Sequence, residues 1–261
     1  MNILVLLKMV PDVVEELEVA ADGKSLETEY LRMIVSESDD HALEEALILK
    51  ERYGGKVTAM ALEAPELDDA LFSALAKGAD RAVKIVGSDA RLGTNASARI
   101  LSDVLRQDPG CVGADLILAG TQAIDDLDGL VAPLVSHHLG LPFVGIVTEV
   151  ACNETSQTAK VTREFPNSVR GEFEVPLPAV LGIQAAQKPP RYVPVAKVRA
   201  VMKSGRIETL AAATLQDGGR PLLEISQMAK PVSSGHAEML SGSPEQIAGN
   251  LARILAEKGL L

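Results

Sequence analysis

The strongest constraint on the fold is a regular alternation between short apolar runs and longer segments of helical periodicity. A continuous apolar run occupies residues 3–7, and further short strand-like segments occupy residues 57–62, 81–86 and 116–119. Segments with apolar residues at helical spacing occupy residues 38–53, 66–77 and 94–107, with Ser38 or Asp39 expected to cap the first. Buried parallel strands have continuous apolar sequences, and helices connect them by right-handed crossovers. The alternation therefore predicts an α/β fold, with a three-layer, doubly wound, mostly parallel sheet.

The composition suits this fold and argues against several classes of partner. The chain is 47% hydrophobic but contains no Trp and only 3% aromatic residues, so aliphatic side chains must fill the core. A net charge of -11 disfavours binding to nucleic acid or to anionic lipid. No apolar run approaches the roughly 18 residues of a membrane span. Two cysteines without CxxC spacing are typical of a reducing compartment, so we expect a cytoplasmic protein.

The pattern changes after residue 142. Strand-like segments at 144–150, 160–165, 172–175 and 179–183 follow one another without helices, which predicts an antiparallel edge or a hairpin layer. Near the amino terminus, the pair Asp22-Gly23 separates two short alternating segments and predicts a hairpin of residues 17–19 and 25–28.

The last quarter of the chain is predicted to be an arm. Residues 188–206, KPPRYVPVAKVRAVMKSGR, are basic and rich in proline, so an extended conformation is expected. A long irregular link at 200–242 precedes a helix at 244–258, which Ser243 should cap in a capping box with Gln246. Such a link is unusual in a compact domain. We therefore divide the chain into a nucleotide-binding domain, 1–187, and an arm with a C-terminal helix that lies on another polypeptide, 188–261.

The most informative loop is GTQAIDDLD at residues 120–128, between a predicted strand and a helix at 130–139. Ligands of doubly wound sheets bind at the carboxyl ends of the strands, which selects this loop and the one after Leu62. Gly120 permits a tight turn, the Gln122 amide can pair with a purine edge, and a helix N-terminus offers N–H groups to a phosphate. Asp125, Asp126 and Asp128 can order the loop or hold ribose hydroxyls. A competing interpretation is an ordinary acidic helix start on the surface.

Other motifs are weaker. The chain contains no GxGxxG, no GxxxxGK[ST] and no GxSxG motif, and it has no self-sufficient catalytic set. His137 and His138 are adjacent and cannot share a helix face, so no metal site is expected. Arg163-Glu164 is most simply a cross-strand charge pair.

The loop GTQAIDD resembles the nucleotide loop of the electron-transfer flavoprotein β subunit, whose pattern is G-x-Q-A-I-D. Further segments resemble that family in the same order along nearly the whole chain. They are ILVLLKMVPD, DDHALEEALILKE, ALAKGADRAVKI, VTREF, LPAVLGIQ, KPPRY and the tail SPEQIAGNLARILAEKGLL. The resemblance implies a sheet of adenine-nucleotide-binding, flavodoxin-like topology.

The resemblance also implies a function. It implies the β half of a heterodimer that accepts electrons from dehydrogenases and passes them to a quinone or other acceptor oxidoreductase. The α subunit would hold most of the FAD, and this subunit would bind a structural AMP. The AMP contacts carried over by position are Leu6, Ser36, Glu37, Ser38, Asp39, Leu62, Thr121, Gln122, Ala123, Ile124, Asp125, Asp126, Leu127, Asp128, Gly129, Leu130, Val131 and Ala132. The recognition arm maps to residues 190–203, with Arg191, Tyr192, Val195 and Lys197 as partner-recognition residues.

This chain departs from the family pattern in places that bear on its ligand. Ser36-Glu37 replaces the usual Asn-Pro, and residues 130–132 replace the usual Gln and Thr/Val-Gly. Val131-Ala132-Pro133 is similar to the V-G-P of electron-bifurcating members, where a second FAD occupies the AMP site and NADH is the donor. Two further functions stay open, an adenine-nucleotide hydrolase related to ATP pyrophosphatases and a scaffold that binds no nucleotide.

Overall fold

The structure is a computed structural model in which residues 1–87, 92–153, 155, 157–212, 224–231, 235 and 237–260 are described. Eleven strands lie in the described residues. They are β1 (Asn2–Leu7), β2 (Met9–Pro11), β3 (Met33–Val35), β4 (Lys56–Leu62), β5 (Arg81–Val86), β6 (Leu116–Gly120), β7 (Phe143–Asn153), β8 (Thr158–Phe165), β9 (Val169–Pro176), β10 (Ala179–Ile183) and β11 (Ile207–Ala211). The helices of the same residues are α1 (Glu37–Tyr53), α2 (Leu67–Lys77), α3 (Thr94–Gln107), α4 (Val131–Leu139), α5 (Val195–Ser204) and α6 (Pro244–Glu257).

Nine strands form one sheet in the order β11-β5-β4-β1-β6-β10-β7-β8-β9. Every pairing from β11 to β7 is parallel, and β8 and β9 add an antiparallel edge. The predicted α/β class and mostly parallel sheet are confirmed. The expected antiparallel layer is right for β8 and β9 but wrong for β10, which inserts between β6 and β7 and pairs in parallel with both. All five residues of β10 are buried, as expected for a central parallel strand.

Helices cover both faces of the sheet. On one face, Leu43 and Leu47 of α1 pack with Leu71 of α2 in one buried cluster. On the other face, a second cluster contains Val104 of α3 and Val135 of α4. The helix bounds follow the predicted periodicity closely, because apolar stripes at helical spacing must face the sheet.

The start of α1 differs from the prediction. Ser36 is the N-cap residue, not Ser38 or Asp39. Asp39 does not cap the helix because its carboxylate turns inward to accept hydrogen bonds from Lys8 and Gly120.

The hairpin predicted around Asp22-Gly23 forms its turn but not its strands. The only ladder contact there within the described residues is one antiparallel bridge between Val19 and Leu26. The neighbouring β2 and β3 pair as a separate two-stranded ribbon.

Two segments after residue 187 differ from the prediction. Residues 195–204, predicted to be extended, form α5, which packs against α2. Residues 207–211, predicted to lie in an irregular link, form β11, which pairs in parallel with β5. The guanidinium of Arg81 explains why this edge strand stays in place: it donates at 2.7 Å to Glu208 of β11 and at 2.7 Å to Asp108 after α3. The part of the predicted link at residues 213–223, 232–234 and 236 lies outside the described residues.

The C-terminal helix confirms its predicted capping box, in which the Ser243 side chain accepts from the backbone of Gln246 and the Gln246 side chain accepts from the backbone of Ser243. No residue of α6 is buried. Its packing on a partner therefore stays a prediction. Within the described residues, no helix has the length and apolar character needed to cross a membrane.

A substitution at Leu181 tests the central position of β10 in the sheet. Leu181→Ala removes a fully buried side chain and should lower the free energy of unfolding by about 2–5 kcal/mol. Leu251→Ala is the matched control, because Leu251 of α6 is 48% exposed and should change the stability of this chain by less than about 0.5 kcal/mol. Urea unfolding measures both changes. Equal effects of the two substitutions would contradict the placement of β10.

Candidate functional site

The carboxyl ends of the central strands β1 and β6 meet the N-terminus of α1 at one edge of the sheet. The loop after β6, residues 120–130, lies across this edge. Leu6 lies near the carboxyl end of β1 at the same edge, and Leu62 is the last residue of the neighbouring strand β4. The sheet therefore brings together both of the loops that sequence reasoning selected.

A buried carboxylate joins the strand ends. Asp39 Oδ2 accepts a hydrogen bond from the backbone N–H of Lys8 at 2.9 Å, and Oδ1 accepts from the N–H of Gly120 at 2.6 Å. Burial raises the pKa of the Asp39 carboxyl to about 7, against the two hydrogen bonds, which lower it. The side chain of one helix residue thus fixes the ends of β1 and β6.

Gly120 allows this close approach. A Cβ atom at residue 120 would lie 2.2 Å from Ser38 Oγ and 2.7 Å from Asp39 Oδ1. Ser38 Oγ also donates to the carbonyl of Gln122 at 2.6 Å, so the first turn of α1 holds the loop by a second contact. Any side chain at residue 120 would push the loop away from the helix.

Lys8 neutralises part of the acidic loop. Its Nζ donates to Asp125 Oδ1 at 2.7 Å and to Asp126 Oδ2 at 2.6 Å. Burial lowers the pKa of Lys8, but the two carboxylates outweigh it, and the pKa lies above 10.5. The other oxygen of Asp126 is buried and has no hydrogen-bond partner within the described part of the chain. Sequence reasoning did not select Lys8, although its position directly after a central strand was the available signal.

The rest of the loop is also held in place. Asp128 accepts from Thr94 Oγ1 at 2.6 Å and from the N–H of Leu130 at 2.9 Å. Leu127 and Gly129 both adopt positive φ angles, 53° and 62°. Thr121 bonds to β10 through its N–H, which donates to Ile183 O at 2.9 Å. The loop therefore has a defined shape that bends twice through left-handed backbone conformations.

An apolar wall lies beside this polar loop. Leu6 and Ala132 are buried in the cluster on the α3–α4 face, with Leu62 and Val131 partly buried against it. Ala123 of the loop is buried as well. The predicted site residues with exposed side chains are Glu37, Gln122, Ile124, Asp125, Leu127, Asp128 and Leu130. The combination of aliphatic surface, exposed amide and carboxylates suits a flat heterocycle joined to hydroxyl groups.

The residues predicted to recognise a partner do not join this site. Tyr192, Val195 and Lys197 are exposed around the start of α5. The side chain of Arg191 is bonded within its own chain, to Glu44 and Glu51 of α1. A groove of about 490 Å³ also lies elsewhere, between the β2–β3 ribbon, α1 and α2, and it carries charges of both signs.

The cross-strand charge pair was assigned to the wrong residues. Glu164 pairs with Arg170, which faces it across β8 and β9, at 3.0 Å. Arg163 instead stacks over the Phe165 ring, with 5.0 Å between its Cζ and the ring centroid. Neighbouring residues of a strand point to opposite faces, so Arg163 and Glu164 could not pair with each other.

Comparisons with known proteins give the same family for most of the chain. A family model described as the electron transfer flavoprotein domain matches residues 24–215. The chain is 35% identical to the electron transfer flavoprotein subunit beta of Clostridium acetobutylicum over 203 residues, which cover 76% of this chain and 74% of the relative. It is 30% identical to the subunit of the same name from Bacillus subtilis, with 98% and 97% of the two chains covered. The identity to that subunit from Methylophilus methylotrophus is 28%, over 98% of each chain.

Because the Asp39 carboxyl is buried, we expect the difference in stability between wild type and an Asp39→Asn variant to depend on pH. Between the ordinary pKa of 3.8 and the folded value of about 7, the unfolded chain is ionised while the folded chain keeps the proton. Stability is therefore lost as the pH rises through this window, by at most about 1.4 kcal/mol per pH unit. The asparagine of the Asp39→Asn variant does not titrate. In urea unfolding, the free energy of unfolding of this variant relative to wild type should therefore rise from pH 4.5 to 7 and then level off.

Asp22→Asn is the control for this prediction. A backbone hydrogen bond from Lys24 lowers the pKa of the exposed Asp22, so its contribution is lost only as the pH falls below the ordinary value. Its stability difference from wild type should be flat between pH 4.5 and 7. If Asp39→Asn also gives a flat difference, the assignment to Asp39 is wrong.

Proposed function

This chain belongs to the electron transfer flavoprotein β-subunit family, and from this membership we propose that it is the β half of a heterodimeric electron carrier. The carrier accepts electrons from dehydrogenases and passes them to a quinone or other acceptor oxidoreductase. The α subunit holds most of the FAD, and this chain helps to hold it. The similarity to β subunits over nearly the whole chain is the observation that carries the proposal.

The nucleotide of this subunit is AMP in our proposal. The buried oxygen of Asp126 without a donor supports it, because ribose hydroxyls are donors and a buried acceptor without a partner is costly. Gln122 offers an exposed amide for the purine edge, while the exposed side chains of Ile124, Leu127 and Leu130 offer apolar surface. The phosphate would meet backbone N–H groups at the start of α4, as anions do at helix N-termini.

The site supports a binding role rather than catalysis. The ammonium of Lys8 is engaged by Asp125 and Asp126, and the Asp39 carboxyl is engaged by two backbone N–H groups. These groups hold the loop and are not poised toward a reacting atom. We therefore propose a carrier subunit and not an enzyme. A cytoplasmic location stays a prediction.

A bifurcating β subunit, with a second FAD in place of AMP and NADH as donor, is the second candidate. Val131-Ala132-Pro133 favours it, because V-G-P occurs in such members. Ala132 argues for AMP, because V-G-P has glycine at this position and the chain departs from that motif here.

The released ligand distinguishes the candidates. Denaturing the purified αβ complex should release about one AMP and one FAD per heterodimer, measured by mass spectrometry. Two FAD and no AMP would identify the bifurcating subunit. A complex with no adenine nucleotide in this chain would leave a scaffold role, and ATP turnover by the pure complex would favour the hydrolase.

Lys8 should control how well the nucleotide is retained. Lys8→Met leaves Asp125 and Asp126 facing each other without a cation, so the loop should loosen and AMP retention after dialysis should fall about tenfold. Lys84→Met is the matched control, because it breaks a similar 2.7 Å ion pair with Asp68 away from the loop. Equal retention by the two variants would contradict this role of Lys8.

A further inference from the structure

Helix α1 holds the chain that leads into the recognition arm. We call residues 186–191 the arm base. Three of its backbone N–H groups donate to side chains of α1. Ala186 donates to His41 Nδ1 at 3.1 Å, Gln187 donates to Glu45 Oε2 at 3.0 Å, and Arg191 donates to Glu44 Oε2 at 2.9 Å. These bonds replace the water that a surface segment would otherwise bind.

Arg191 strengthens this attachment with its side chain. Its Nε lies 2.9 Å from Glu44 Oε2 and its second terminal nitrogen lies 2.8 Å from Glu44 Oε1. Its first terminal nitrogen donates to Glu51 at 2.7 Å. Glu44 is only 3% exposed, so its charge depends on this guanidinium. The guanidinium of Arg191 is therefore bonded to carboxylates of its own chain.

A second glutamate fixes the other end of the arm base. Glu45 is also buried, and the Gln187 side chain donates to its Oε1 at 2.8 Å. The same amide donates to the carbonyl of Val150 in β7 at 3.1 Å. The arm base is thus tied to both the helix and the sheet.

The arm base leads directly to the exposed side chains of the arm. Tyr192 is 84% exposed and Val195 is 60% exposed. Exposed apolar side chains contribute most to binding when they are presented rigidly, since ordering them on contact costs free energy. A rigid base immediately before them reduces this cost.

We propose that Glu44 and Glu45 of α1 are positioning residues for partner recognition, and that Arg191 joins the arm to α1 instead of contacting the partner. The inference rests on the proposed function, because it assumes that the arm recognises a dehydrogenase. It assigns a role to buried carboxylates that lie outside the nucleotide loop.

The test uses Glu44→Gln and Arg191→Gln in the αβ complex. Either substitution leaves one partner of a buried charged pair unmatched, so hydrogen exchange of the amides of Ala186, Gln187 and Arg191 should become about tenfold faster or more. Trypsin should cleave faster after the exposed Lys197 and Lys203. The double variant should lose little more than either single variant, because the two side chains act as one unit.

The functional readout is flavin reduction by a dehydrogenase that reduces the wild-type complex. The dehydrogenase concentration for half-maximal rate should rise about tenfold, while the limiting rate, AMP content and α-subunit content stay unchanged. Glu172→Gln is the control, because it breaks an exposed 2.8 Å ion pair with Lys160 on the β8–β9 hairpin. It should leave every readout unchanged.

The outcomes distinguish a failure of the positioning role from a failure of the proposed function. If Glu44→Gln and Arg191→Gln behave like Glu172→Gln, the positioning role is overturned while the proposed function stands. If no dehydrogenase reduces the wild-type complex, the proposed function fails, and the role of the arm fails with it. Arg191 is half-buried, so its substitution keeps the test decisive even where Glu44→Gln does not fold.

Discussion

The site depends on one buried carboxylate. The Asp39 carboxylate accepts hydrogen bonds from backbone N–H groups at the ends of β1 and β6, which are neighbours in the centre of the sheet. A parallel sheet leaves the groups at its strand ends without ladder partners, and a carboxylate satisfies two of them at once. Gly120 is required for the same reason, since the loop must approach α1 closely. The shape of the loop at residues 120–130 therefore follows from a contact that also completes the fold.

The charge balance at the loop limits what can bind there. Lys8 is the cation that pairs with both Asp125 and Asp126 and offsets part of their charge, while Glu37 and Asp128 add exposed negative charge nearby. Each further phosphate on a ligand would meet this negative field, because no second lysine or arginine contacts residues 120–130 in the described ion pairs. A monophosphate with hydroxyl donors fits this balance better than a triphosphate does.

The sequence predicts what depends on local pattern and misses what depends on distant partners. The helix at 94–107 and the strand at 179–183 were predicted with their observed bounds, because apolar periodicity is a local property. The insertion of β10 into the parallel sheet and the pairing of β11 with β5 are non-local, and β11 relies on the Arg81 side chain 127 positions away. Ser38 or Asp39 was predicted to cap α1, since both residue types are favoured at helix starts. Only the folded chain brings Gly120 to the Asp39 carboxylate.

Helix α1 shows why the arm base belongs to the packing of the domain. Residues 42–49 of α1 are all buried, and they include Glu44 and Glu45. A helix that is buried on every side must pair its charges, because an unmatched buried carboxylate is costly. The sheet covers the apolar side, so the polar side needs another cover, and the arm base supplies it through Gln187 and Arg191. The residues around the predicted boundary at residue 187 therefore complete the surroundings of α1.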